Sequence, residues 1–173
     1  MDRNVGVLLK ALQESRAAEN PIVVFWADHG WKLGDHSGWC KHTNFECDTR
    51  VPLIIRHPGK ASTKGRTNAL VELIDRSPTL GDLSGLPKPA PLQGKAFLPI
   101  LENPKSGPRD FAYSSYPHGG KGRKPVIGPS IRTAHYRYAE WWETRTDNVI
   151  THALTNLKED PGETTSASPD KEN

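Results

Sequence analysis

Long apolar runs are missing from this sequence: the longest, Ile22-Val23-Val24-Phe25-Trp26-Ala27, is far below the roughly 20 residues a membrane-crossing helix requires. No membrane span is expected. Cysteine is scarce as well. Cys40 and Cys47 are separated by six residues, a spacing that fits neither a zinc ribbon nor a redox pair. Two free thiols are the simplest reading, with a disulfide only in an exported protein. Charge of one sign is also lacking. The net charge of +3 comes from 23 basic and 20 acidic residues scattered along the chain, without the dense basic face that nucleic-acid binding requires. Hydrophobic residues make up only 35%, against 15 glycines and 15 prolines, so a modest core and much loop are expected. The start, Met1-Asp2-Arg3-Asn4, has no basic segment followed by an apolar stretch, and no signal peptide is read there.

What is present suggests an α/β fold. Val5, Leu8, Leu9 and Leu12 form one helical stripe and predict a helix over about 3–18, ended by Asn20-Pro21. Ile22 to Trp26 is a continuous β-branched and aromatic run and predicts a strand buried on both faces. Residues 28–48 show no sustained period and read as a long loop beyond that strand's C-terminal end, the edge where open α/β sheets bind ligands. A second strand is predicted at 51–56, and helical pieces around Ser77-Pro78. Phe111 to Tyr116 and a longer segment from Ser130 to Trp142 predict a small antiparallel sheet. The expected organisation is a main α/β portion over 1–110, an antiparallel subdomain over 111–164 and a disordered tail over 165–173.

The chemistry concentrates in Asp28-His29-Gly30-Trp31-Lys32-Leu33-Gly34-Asp35-His36-Ser37-Gly38-Trp39-Cys40-Lys41. An Asp-His pair leaving a strand sets a carboxylate and an imidazole within reach of one cation. Gly30 would let the backbone turn away, and Lys41 lies far enough along to fold back as a point charge for an anionic oxygen. Each residue also has a plainer reading: Asp28 as a turn cap, His29 and His36 as satisfied loop histidines, Lys41 as solvated surface. Spacing alone does not choose between them.

The order Asp-His-Gly, Leu-Gly, acidic, His, Trp, Lys resembles the second metal-and-sulfate segment of the sulfatases, within the alkaline-phosphatase-like superfamily. Asn44-Phe45-Glu46, Thr49-Arg50-Val51-Pro52-Leu53-Ile54, Pro58-Gly59, Val71-Glu72-Leu73-Ile74-Asp75, Pro78-Thr79-Leu80 and Ser84-Gly85-Leu86-Pro87 continue the likeness. Tyr113-Ser114-Ser115-Tyr116-Pro117, Ser130-Ile131-Arg132-Thr133, Tyr136-Arg137-Tyr138 and Trp141 look most like the iduronate-2-sulfatase branch, and Asp160-Pro161-Gly162-Glu163 resembles the closing turn. The resemblance implies part of an alkaline-phosphatase-like sheet-and-helix domain followed by a small antiparallel subdomain. It implies Asp28 and His29 as ligands of a calcium ion, although nitrogen in a calcium site is unusual and leaves the metal's identity open. Lys41 is implied as the catalytic lysine that contacts a sulfate oxygen. Trp31 matches a substrate-lining position, with packing as its alternative, and His36 is expected to order the loop or stand behind the ligands.

The departures matter as much. The family's nucleophile is a formylglycine made from Cys/Ser-x-Pro/Ala-x-Arg, and no such segment occurs in these 173 residues. The family's other ligands and sulfate-binding residues would precede Met1. Ala153-Leu154-Thr155-Asn156-Leu157 replaces the usual acidic-Leu-Tyr-Asp-Leu and puts the last strand's packing in question. The expectation is the C-terminal portion of a sulfuric ester hydrolase for a sulfated sugar or other sulfate ester, inactive alone and completed by a missing N-terminal half. The alternatives are a phosphoryl hydrolase of the same superfamily, or a non-catalytic module binding sulfated glycans through Lys41, Lys121, Arg123 and Lys124. The likeness suggests an exported or periplasmic protein.

Overall fold

The computed structural model describes residues 1–58, 65–118 and 125–166. Helix α1 spans Asp2–Glu14 and stops short of the predicted residue 18. Ser15 steps into extended backbone, and its hydroxyl donates to the Leu12 carbonyl at 2.7 Å, offering the last turn a partner that competes with helix continuation. Strand β1, Val23–Trp26, pairs antiparallel with β4, Leu53–Arg56, in the register Val23↔Arg56 to Trp26↔Leu53. The expectation that this strand is buried on both faces is not met: Phe25 and Trp26 are 40% and 43% exposed. Among the described residues β4 is its one strand partner, and the Arg76 guanidinium lies 4.1 Å over the Trp26 ring.

Between β1 and β4 the predicted loop contains structure of its own. A short hairpin, β2 (Lys32–Leu33) with β3 (Trp39–Cys40), is closed by a 3-10 turn at Asp35–Ser37 and followed by the one-turn helix α2, Glu46–Thr49. Farther on, a 3-10 turn at Leu73–Asp75 runs into α3, Arg76–Ser84. Pro78 sits in the first turn, as the sequence predicts, and Gly85 ends the helix at φ 63°, the left-handed geometry glycine adopts without strain. Helix α4, Leu98–Glu102, precedes the sheet.

Strands β5 (Phe111–His118), β6 (Val126–Thr133), β7 (Tyr136–Glu143) and β8 (Asn148–Asn156) form an antiparallel meander in sequence order. The predicted strand from Ser130 to Trp142 is therefore two strands. The chain reverses at Ala134-His135, where Thr133 Oγ1 accepts the Tyr136 N–H at 3.1 Å. The altered closing segment nonetheless pairs in register, Ala153 to Asn156 against Ala139 to Tyr136, and the one bulge between β7 and β8 lies elsewhere, at Trp141/Trp142.

Apolar packing is thin. Among the described residues the buried apolar side chains are Phe97, Ile100, Ala139 and Leu157, while the buried polar ones include Asp48, Asp75, Arg137 and Glu163. Polar networks must therefore carry much of the tertiary specification. Asp75 is fully buried. It accepts Arg109 at both oxygens (2.7 and 2.6 Å), the Glu72 N–H at 2.9 Å and the Lys95 N–H at 2.7 Å, and so ties the start of α3 to two distant segments, at Lys95 and Arg109. Burial alone would raise its carboxyl, but the Arg109 guanidinium and the two backbone donors hold it below the usual carboxylate range. This contribution is present above the unfolded value of about 4 and is lost as pH falls through the lower folded value. Replacing Asp75 by Ala strands part of the Arg109 charge and is expected to cost about 3 kcal/mol in urea denaturation at neutral pH; a loss under about 1 kcal/mol would show that the pair is dispensable.

Candidate functional site

Asp28 and His29 leave β1 and lie at its C-terminal end. The His29 Nδ1–H donates to the Gly30 carbonyl at 2.7 Å, which turns the Nε2 lone pair outward. Asp28 Oδ2 lies 3.3 Å from Nε2, and Lys41 Nζ donates to the same nitrogen at 2.5 Å. The three residues singled out by sequence thus meet at one atom. The β2–β3 pairing explains how: Lys32 is opposite Cys40, so Lys41, one residue beyond the pair, is carried back over the start of the hairpin. Trp31 stands beside them, its ring 6.1 Å from His29 and stacked at 29°, and is 55% exposed.

His36 lies apart from this atom. Its ring stacks on Phe45 at 3.8 Å and 7°, in a backbone held at φ 52°. The contact orders the loop around Phe45.

Gly30 is needed for a different reason from the one the sequence suggests. Its N–H donates to the Asp48 carbonyl at 2.8 Å, and a Cβ at this position would come within 1.8 Å of the Cys47 carbonyl oxygen. Close approach of two backbones, and not a positive φ, excludes every other residue.

Sequence reasoning missed the groups that hold this loop. Lys32 is 2% exposed and forms a buried ion pair with Asp48, itself 4% exposed. Asp48 Oδ2 also accepts the Thr43 N–H at 2.8 Å and the Thr43 hydroxyl. Oδ1 is buried and has no partner among the described residues. Burial pushes the Asp48 carboxyl up, but the Lys32 ammonium and Thr43 more than offset it and hold the group below the ordinary carboxylate range. Helix α2 is in turn fastened to the C-terminal sheet. Arg137 donates to Glu163 at 2.7 Å and to Glu46 at 2.5 Å, Arg132 donates to Glu46 at 3.1 Å, and the Glu46 N–H donates to Glu163 at 2.5 Å. Glu46 and Glu163 stand in segments that resemble sulfatases, yet their spacing gives no hint that they converge on one arginine.

The donor set fits part of a cation site. A carboxylate oxygen and an imidazole lone pair 3.3 Å apart can share one ion at ordinary ligand distances of about 2.0–2.6 Å. Among the described residues no group of three or more His, Cys, Asp or Glu is placed to hold a metal, so these residues supply two ligands and a hard cation needs others.

Residues 34–173 match the family of the N-sulphoglucosamine sulphohydrolase C-terminal region. The chain is 35% identical to iduronate 2-sulfatase of Mus musculus, over 82% of its own length and 36% of that protein's. It superposes on a 2-O GAG sulfatase with TM-score 0.78 and 30% identity, covering 97% of this chain and 36% of that one. A protein solved with its substrate D-glucosamine-2-N,6-O-disulfate matches at 28% identity and TM-score 0.74, over 95% and 33%. The phosphonate monoester hydrolase of Agrobacterium radiobacter matches at 26% and 0.81, over 98% and 35%. The chain thus spans about a third of the length of these relatives. With most of its length matched by that family and by these enzymes, the chain belongs to the sulfatases, through their C-terminal region.

Proposed function

We propose that the chain is the C-terminal portion of an iduronate-2-sulfatase-like sulfuric ester hydrolase for sulfated sugars, and that it supplies part of the metal and sulfate site. The convergence of Asp28, Lys41 and His29 Nε2 carries this reading. Asp28 and His29 would hold one side of a cation, with calcium as the family's metal. Such an ion, when bound, neutralises sulfate charge and lowers the pKa of the attacking group. The residues of this chain do the rest of their share without it. The Gly30 carbonyl fixes the tautomer of His29, and Lys41, released from Nε2, places an ammonium against charge developing on a sulfate oxygen. Trp31 walls the substrate side. The nucleophile must come from another segment, because no Cys/Ser-x-Pro/Ala-x-Arg occurs in this sequence.

The likeness to a phosphonate monoester hydrolase favours a second reading, hydrolysis of a phosphorus ester at the same site. Phosphatase or phosphonatase turnover without sulfatase turnover in the completed enzyme would select it. The glycan-module reading rests on Lys121, Arg123 and Lys124, which lie outside the described residues. Salt-sensitive retention on a sulfated-glycan column, abolished by neutralising those three, would support it.

Two outcomes test the proposal. The 173-residue chain with a chromogenic sulfate ester is expected to show no turnover, with or without calcium; metal-dependent turnover would require a nucleophile within this sequence. Combined with a separately produced N-terminal half bearing formylglycine, it should gain activity, and Lys41→Ala should then lower kcat roughly a hundredfold or more. An unchanged rate would make Lys41 surface only. A third outcome concerns His29. With the imidazole neutral, long-range nitrogen NMR should find the proton on Nδ1, and a proton on Nε2 would remove the nitrogen from the ligand set.

A further inference from the structure

A cavity of about 230 Å³ lies between the His42–Phe45 segment and one face of the C-terminal sheet. Its floor exists because the sheet is locally stripped of bulk: Ala139 and Ala153 are direct cross-strand partners on β7 and β8. Its walls are aromatic, from Phe45, Tyr116 and Trp141. Trp141 lies against the Gly128 backbone, where a Cβ would stand 2.9 Å from its ring nitrogen, so glycine at 128 seats the ring. At the rim are two imidazoles, His42 and His118. The His42 ring lies 5.4 Å from that of Tyr116.

His42 directly follows Lys41, the lysine of the sulfate-ester reading. Its backbone is held at φ 98°, a costly geometry for any residue but glycine. That strain carries the chain from the Lys41 side of the loop to a side chain on the cavity rim. Flat apolar walls with a few polar groups are the usual make-up of a small-ligand site. The cavity opens to solvent at His42 and His118, and its volume is on the scale of one hexose ring.

We infer that this cavity is a sugar subsite: it receives a pyranose ring of the sulfated substrate between Tyr116 and Trp141, with His42 and His118 facing the ring's polar or anionic substituents. The inference rests on the sulfate-ester reading for its ligand class. It goes beyond that reading by placing substrate selection in the four-stranded sheet, on residues that neither bind metal nor contact the reacting sulfate.

The test uses the whole chain with methyl-labelled alanine and two probes, inorganic sulfate and D-glucosamine-2-N,6-O-disulfate. The sugar is expected to shift the Ala139 and Ala153 methyl resonances, and inorganic sulfate to shift signals of His29 and Lys41 alone. Ala153→Leu, which fills the floor, should weaken sugar binding roughly tenfold or more while sulfate affinity holds. His118→Ala, at the rim, should weaken it without disturbing the fold. Sulfate binding with no alanine methyl shift at saturating sugar overturns the subsite and leaves the sulfate-ester reading standing. If neither probe binds, both readings are overturned. The methyl readout in the unsubstituted chain decides the matter even if Ala153→Leu fails to fold.

Discussion

The Asp48 carboxylate, buried against the Lys32 ammonium, is the constraint on which the rest of the site depends. Asp48 reaches the site by two routes. Its side chain holds Lys32 and Thr43, which flank the hairpin carrying Lys41, and its carbonyl accepts the N–H of Gly30, beside His29. One residue therefore sets both the strand end that offers Asp28 and His29 and the turn that returns Lys41. Such a pair is expensive to bury and strongly destabilising to break. It specifies one loop conformation where an apolar contact would allow several.

The same economy recurs across the chain. Arg137, Glu163 and Glu46 lock α2 to the C-terminal sheet, and Asp75 with Arg109 locks α3 to the approach to β5. Few large apolar side chains are buried, so charge-assisted hydrogen bonds supply the directionality that core packing supplies elsewhere. At Asp75 the cost of burial is offset by saturating both carboxylate oxygens, which accept four hydrogen bonds. Through Glu46 and Glu163 the sheet also becomes part of the site's frame. The sheet and the loop that carries Lys41 are thereby mechanically linked.

How much of this was legible in the sequence depends on the range of the interaction. Helix α1, strands β1 and β4 and the Pro78 helix start follow from local periodicity and backbone preference, which short windows contain. Asp28, His29 and Lys41 were legible because their residue types and order match a known family, and the structure brings them to one nitrogen atom. The Lys32–Asp48 pair was not. Lys32 alternates between Trp31 and Leu33 like any exposed strand lysine, and nothing in the sequence marks the charge as buried. The turn at Ala134-His135 lacks Gly, Pro or Asn-Gly and so merged β6 with β7. The role of Gly30 was mistaken because a close backbone approach over 18 residues of chain leaves no local sign.

The central claim is that the buried Lys32–Asp48 pair holds in place the loop that carries Lys41, the residue proposed to contact sulfate. Its most direct test is the affinity of the folded chain for inorganic sulfate, read from His29 and Lys41 resonances, before and after Asp48→Asn. The substitution keeps the shape of the side chain and removes the charge that Lys32 needs. The account predicts a loss of roughly tenfold or more in sulfate affinity while the four-stranded sheet keeps its resonances. An Asp48→Asn chain that binds sulfate as tightly as the original would contradict it.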